Sequence, residues 1–149
     1  MKYIFGFGSY YRGDDSIGIR ICEQIILRNL EDGFKSVVVG NNGSLFLSLV
    51  EQCSHKVLIV DSADMGKLPG EYLIFSPDQV KSKKLISNFS THEGDVLKLI
   101  YIAEKIYGQL PPVEIMGIQP KCLNSGELSP ELDQNFEKYL QKAIYLIKH

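Results

Sequence analysis

No stretch of this 149-residue chain stays apolar for the roughly 18 residues that a membrane-crossing helix needs, so insertion into a bilayer is not expected. An excess of positive charge is also missing. Sixteen Lys and Arg face 18 Asp and Glu, for a net charge of −2 and a pI near 5.9. Domains that bind nucleic acid concentrate basic residues on one face and usually have a pI above about 9. The densest basic stretch here, Lys81, Lys83 and Lys84, is short and reads as a solvated loop, so nucleic acid is excluded as a partner. Cysteine is scarce: Cys22, Cys53 and Cys122 are far apart, with no CxxC pair. The apolar start of the chain is interrupted by Gly6 and Gly8 and followed by Arg12, Asp14 and Asp15, which leaves it too short for the core of an export signal. An odd cysteine count without such a signal points to buried thiols in a reducing, cytoplasmic compartment. The hydrophobic share of 44% and charged share of 23% are ordinary for a globular protein and exclude collagen-like, disordered and coiled-coil chains. One domain over residues 1–149 is expected, burying roughly 68–70% of its unfolded surface.

Short β-branched runs alternate with longer periodic stretches. Tyr3–Phe7 reads as a buried strand, and Ile17, Ile21, Cys22 and Ile25 then recur at helical spacing behind Asp14 and Asp15. Ser36–Val39 is a second strand, ended by the turn Asn41-Asn42-Gly43, and Ser44 to Cys53 reads as a short helix. Val57–Val60 is apolar without alternation, as in a central strand covered on both faces. A loop ending in Pro69-Gly70 leads to a strand at Glu71–Phe75, and Ser90 with Glu93 forms a capping box before a helix carrying Val96, Leu97, Ile100 and Ala103. A fifth strand at Val113–Ile118 precedes a last helix that starts Ser129-Pro130 and carries Leu132, Phe136, Leu140 and Ala143. This order predicts a three-layer α/β/α fold around a mostly parallel, twisted, five-stranded sheet. In such folds ligands sit outside the carboxyl ends of the strands.

The residues at those ends carry the chemistry. Gly6-Phe7-Gly8 lacks the third glycine of a dinucleotide fingerprint, and the second strand ends without a ribose-binding acid, so a nucleotide site is rejected. Asp14 and Asp15 are adjacent and cannot both cap one helix, which leaves one for the cleft. Asp61 ends four aliphatic residues at the rim of the central strand, where an unpaired carboxylate would be costly. His92 opens a helix whose dipole keeps its imidazole neutral, the form that binds metals, whereas His55 and His149 read as bystanders. In a parallel sheet Asp15, Asp61 and His92 can meet at one edge. Two carboxylates and an imidazole suit a borderline divalent ion such as zinc or nickel, with coordination positions left open for substrate or water.

The whole chain resembles the [NiFe]-hydrogenase maturation endopeptidases. The resemblance lies in Gly6-x-Gly8 with Asp14-Asp15-Ser16-Ile17-Gly18, Ile59-Val60-Asp61-Ser62-Ala63, Pro69-Gly70-Glu71, Ser90-Thr91-His92, Gly117-Ile118-Gln119-Pro120 and Leu128-Ser129-Pro130. Each piece is short, but their order and spacing together are specific. The resemblance implies a doubly wound α/β fold and an endopeptidase acting on a hydrogenase large-subunit precursor, from which it removes a C-terminal peptide. It further implies that Asp15, Asp61 and His92 contact nickel and form the catalytic trio. The nickel is supplied by the precursor, with zinc or cadmium able to replace it in vitro, and the protease is expected to be a monomer.

Two positions depart from the family pattern. Ser9 stands where Asn is usual, and Asn41-Asn42-Gly43-Ser44 replaces Asp-Gly-Gly-Thr. Asn41 can hydrogen-bond but cannot accept the proton that an Asp there could take. Water activation is left to Asp15 or Asp61, with Asp14 a weaker candidate. Two alternatives are a catalytically silent nickel- or precursor-binding module (a metallochaperone of the same fold) and, more remotely, a small-molecule hydrolase holding its own ion. Tyr10-Tyr11-Arg12 is bulky for this loop and is read either as part of a partner surface or as packing over the sheet edge.

Overall fold

Val57, Leu58, Ile59 and Val60 are completely buried, as a strand covered on both faces requires. In the computed structural model, which describes the backbone of residues 1–81 and 92–149 and the side chains of residues 1–79 and 96–149, they form the middle of β3 (Lys56–Ser62). This strand lies between β1 (Lys2–Phe7) and β5 (Val113–Ile118). With β2 (Phe34–Gly40) and β4 (Tyr72–Phe75) the sheet has the order β2-β1-β3-β5-β4. All pairings are parallel except that of the edge strand β4, which runs antiparallel to β5.

Strand alternation sorts the core into two layers. Tyr3, Phe5, Phe7, Val57 and Ile59 face one side, with Phe46 of α2 (Gly43–Val50) and Val96, Ile100 and Ala103 of α4 (His92–Tyr107). Ile4, Leu58 and Val60 face the other, with Ile17, Ile21 and Ile25 of α1 (Ile17–Leu27) and Leu140, Ala143 and Ile147 of α6 (Phe136–Lys148). Phe46 meets Phe5 and Phe7 edge-on at ring separations of 5.0 and 5.4 Å. Fully buried side chains of this size each contribute about 1.5–3 kcal/mol of transfer free energy. The result is the expected three-layer arrangement.

The glycines near the start serve packing. A Cβ on Gly18 would lie 2.2 Å from the Val60 carbonyl oxygen, and one on Gly6 would lie 2.4 Å from that of Gly18. Without these side chains α1 can lie directly against β1 and β3, which accounts for the glycines without a nucleotide.

Several element boundaries differ from the sequence reading. A 3-10 turn over Gly13–Ser16 precedes α1, and β3 runs on through Asp61 to Ser62. The last helix is broken into α5 (Pro130–Asp133) and α6. At the break the Asn135 side chain donates to the Glu131 carbonyl at 2.8 Å, and its backbone N–H turns to the Leu132 carbonyl, three residues back, at 3.1 Å. Ser129 precedes α5 with Pro130 at the first turn, but its hydroxyl makes no cap bond. A short helix, α3, spans Pro77–Lys81. The Ser90–Glu93 capping box and the basic residues Lys83 and Lys84 lie outside the described residues. Among the described residues, no helix is long and apolar enough to cross a membrane.

Candidate active site

The chain leaves β1 through Gly8, whose φ of +133° and close approach to neighbouring backbone both require glycine. A Cβ there would lie 1.9 Å from the Asp15 carbonyl oxygen and 3.7 Å from Asp61 Oδ1. Gly8 therefore lets the segment bearing Asp15 close down over the end of β1, beside the end of β3. Backbone bonds from Ser9 N–H to the Asp15 carbonyl (3.3 Å) and from Asp15 N–H to the Arg12 carbonyl (3.1 Å) hold that segment in shape. The Ser16 hydroxyl donates to the Gly13 carbonyl at 2.6 Å and accepts from Arg20 Nε at 2.7 Å.

The two adjacent aspartates have opposite fates. Asp14 is completely buried and directs its carboxylate at backbone donors. Its Oδ2 accepts the backbone N–H groups of Lys121 (2.8 Å) and Cys122 (3.1 Å), and its Oδ1 accepts that of Ser129 (2.7 Å). Both oxygens thus tie the loop after β5 to the turn after β1, and Asp14 is not among the residues that line the cavity. Neither aspartate is the N-cap of the Gly13–Ser16 turn or of α1. Asp15, only 1% exposed, accepts the Ser62 hydroxyl on Oδ1 at 2.7 Å.

Asp61, also 1% exposed, sits inside the end of β3, in register with Gly117 of β5. Its Oδ1 accepts the Ser62 N–H at 2.8 Å. Ser62 thus serves both carboxylates, one with its backbone and the other with its hydroxyl. Burying two acids beside each other is tolerable only where such donors offset lost hydration. Ser62 was missed as a site residue, because nothing about a serine at a strand end marks it in sequence.

Asp61 opens onto a cavity of about 520 Å³ at the carboxyl ends of the parallel strands. Phe7, Gly8, Gly40 and Asn41 line it from β1 and β2, and Lys98, Leu99 and Ile102 line it from α4. Asn41, which stands where the family pattern has Asp, lines the cavity. Its neighbour Asn42 caps α2, accepting the Leu45 N–H at 3.1 Å. His92 is the first residue of α4, the helix that flanks the cavity, while its side chain lies outside the described ones. Among the described residues, no group of three His, Cys, Asp or Glu side chains is placed to hold a metal ion.

On the far side, Gln119 organises the loop after β3. Its Oε1 accepts the Met65 N–H at 2.7 Å, and its Nε2 donates to Asp64 at 3.1 Å. Two of the three thiols are insulated from chemistry. Burial pushes Cys22 up to about 12, against hydrogen bonds from Ser36 and Val37, and pushes Cys53 up to about 11.

Fold and site together define an α/β protein with two buried carboxylates at the carboxyl edge of a mostly parallel sheet, one of which, Asp61, lines a cavity of about 520 Å³. Residues 19–147 match the sequence model of the family HycI: Hydrogenase maturation protease, and the chain belongs to that family of peptide hydrolases. A Methanocaldococcus jannaschii protein assigned to the hydrogenase maturation proteases is 26% identical over 145 residues, covering 97% of this chain and 92% of its own length. The maturating endopeptidase HybD of E. coli shares the fold, with a TM-score of 0.80 at 20% identity over 99% of this chain and 91% of its own. So does HycI of Thermococcus kodakarensis, with a TM-score of 0.77 at 21% identity over 99% and 92%.

Proposed function

We propose that this protease recognises nickel already inserted in a nickel–iron hydrogenase large-subunit precursor and then cleaves off the precursor's C-terminal peptide. Asp15, Asp61 and His92 are the residues assigned to the metal and to catalysis. The observation that carries this reading is the shared use of Ser62, which bonds both Asp15 and Asp61, with Asp61 lining the cavity. The nickel belongs to the substrate: it fixes where the precursor sits and so which bond is cut. Zinc or cadmium of similar ligand preference is expected to replace it in vitro.

The scissile peptide lies in the cavity between the β1 and β2 loops and α4. Asn41 offers both an amide donor and an acceptor to an extended backbone there, but cannot take a proton. Water activation therefore falls to a carboxylate, and of the two Asp61 is the one that lines the cavity. The compartment is proposed to be the cytoplasm, and the working form a monomer.

The test is a processing assay on nickel-loaded precursor, read by the mass of the large subunit. Wild type removes the tail, whereas Asp61→Ala and His92→Ala do not. Processing by either variant at the wild-type rate would remove that residue from the site. Purified protein is expected to be nearly free of metal, and a stoichiometric ion would instead indicate a resident centre.

A further inference from the structure

Between Gly8, which lines the cavity, and the turn that carries Asp15 lie Tyr10 and Tyr11. Tyr11 is 88% exposed and Tyr10 37%, with ring centroids 6.4 Å apart. The backbone beneath them is not loose. Arg12 N–H bonds to the Ser9 carbonyl at 3.4 Å, and both ends of the turn bond to Asp15. Asp14 then anchors the same segment to the loop after β5 through three backbone N–H groups. Two aromatic rings are thus held out to solvent by a segment wired to a site carboxylate. Packing over the sheet edge, the other role considered for these residues, does not describe a ring that is 88% exposed.

We infer that Tyr10 and Tyr11 form a docking surface for the folded body of the precursor protein, separate from the cavity that takes its tail. The inference rests on the proposed substrate. A cavity of about 520 Å³ holds the few residues around a scissile bond, so the rest of a protein substrate must meet the rim. The tyrosine turn leaves the cavity at Gly8 and is bonded at both ends to Asp15, so it is continuous with the site along the chain. Tyrosine is suited to the task because it offers a large, stiff surface with one polar tip, and it is enriched among residues that dominate binding energy. Docking on a turn bonded to Asp15 also sets the register between the bound body and the site.

The experiment uses the full chain and the large-subunit precursor encoded in the same genome. Affinity is measured by biolayer interferometry on immobilised precursor, and KM and kcat by processing. Tyr11→Ala and the double variant Tyr10→Ala/Tyr11→Ala are compared with wild type; the first alters a side chain that is mostly in solvent, so it tests the surface without endangering the fold. Weakening of affinity and a rise in KM of about tenfold or more in the double variant, with kcat at saturation unchanged, are expected, since losing one interfacial anchor costs that much or more. Unchanged affinity and KM in both variants would overturn the proposal. So would a loss confined to kcat, which would place the pair at the reacting centre. A wild-type dimer that the double variant converts to monomer, with precursor affinity intact, would overturn it in favour of a second copy as the occupant. Binding is read apart from cleavage, so a wild-type chain that binds precursor through the tyrosines without cutting it counts against the proposed activity and not against the docking surface.

Discussion

The Ser62 hydroxyl donates to Asp15 Oδ1 across 2.7 Å and thereby joins the loop after β1 to the end of β3. The same residue's N–H caps Asp61, so one serine sets the spacing of both acids. Ser62→Ala removes a buried hydrogen bond to a carboxylate, worth about 1.5–3 kcal/mol. For a chain of this size that is a fall in Tm of several degrees, together with slower processing. Thermal denaturation checks the first part. An unaltered Tm and rate would show that Ser62 does not hold the pair.

Asp14 and Asp61 are expected to separate stability from activity. Asp14→Ala leaves the N–H groups of Lys121, Cys122 and Ser129 without their acceptor, at roughly 1–3 kcal/mol for each one that stays buried. Urea unfolding should show a loss of about 3 kcal/mol or more. Asp61→Asn, by contrast, is expected to stay folded with a midpoint near wild type and to lose processing. The reverse ranking would exchange their roles.

Thiol chemistry should report burial directly. Cys22 and Cys53 are buried and pushed up to about 12 and about 11, so almost no thiolate forms at pH 8, whereas Cys122 is only half-buried. Ellman's reagent at pH 8 is expected to label about one thiol per native chain, and all three once guanidinium unfolds it. Cys122→Ser should abolish the native signal. Labelling that survives this substitution would place Cys22 or Cys53 at the surface.

The alkaline limb of stability has an identifiable contributor. The Tyr139 hydroxyl donates to the Gly70 carbonyl at 2.5 Å. Burial first, then the nearby Asp14 and Tyr72, push it up to about 12, against an unfolded value of about 10. The folded state therefore retains a proton that the unfolded state has lost. The contribution is fully present below about pH 10 and disappears as pH rises towards about 12. Urea midpoints of wild type should fall more steeply over this window than those of Tyr139→Phe. Parallel slopes would rule out this contribution.

The helices and strands could be read from sequence where the signal was local. Val57–Val60 announced a doubly covered strand by being aliphatic without alternation, and the spacing of Ile17, Ile21 and Ile25 announced α1. The break in the last helix is not legible in sequence, because its apolar face, Leu132 through Ala143, keeps helical spacing across it. The interruption comes from one Asn135 side chain competing for the Glu131 carbonyl. Asp61 could be found because a carboxylate interrupts an apolar run, whereas Ser62 could not, since its importance lies only in what it touches. The same holds for Asn41, whose composition was informative and whose placement in the cavity was not.

By itself, the sequence determined the layers, the strand order's parallel character and the acids available at the strand ends, because burial periodicity and turn chemistry act over a few residues. Which donors surround Asp14 and Asp15 was decided only by the tertiary structure. The sequence places Asp15 in the site and Asp14 behind it, but names no partner for either. What separates them is the loop after β5, which brings backbone donors from 107, 108 and 115 residues away onto Asp14, while Asp15 accepts the Ser62 hydroxyl. A buried carboxylate takes its role from the donors that surround it, and those are supplied by the fold.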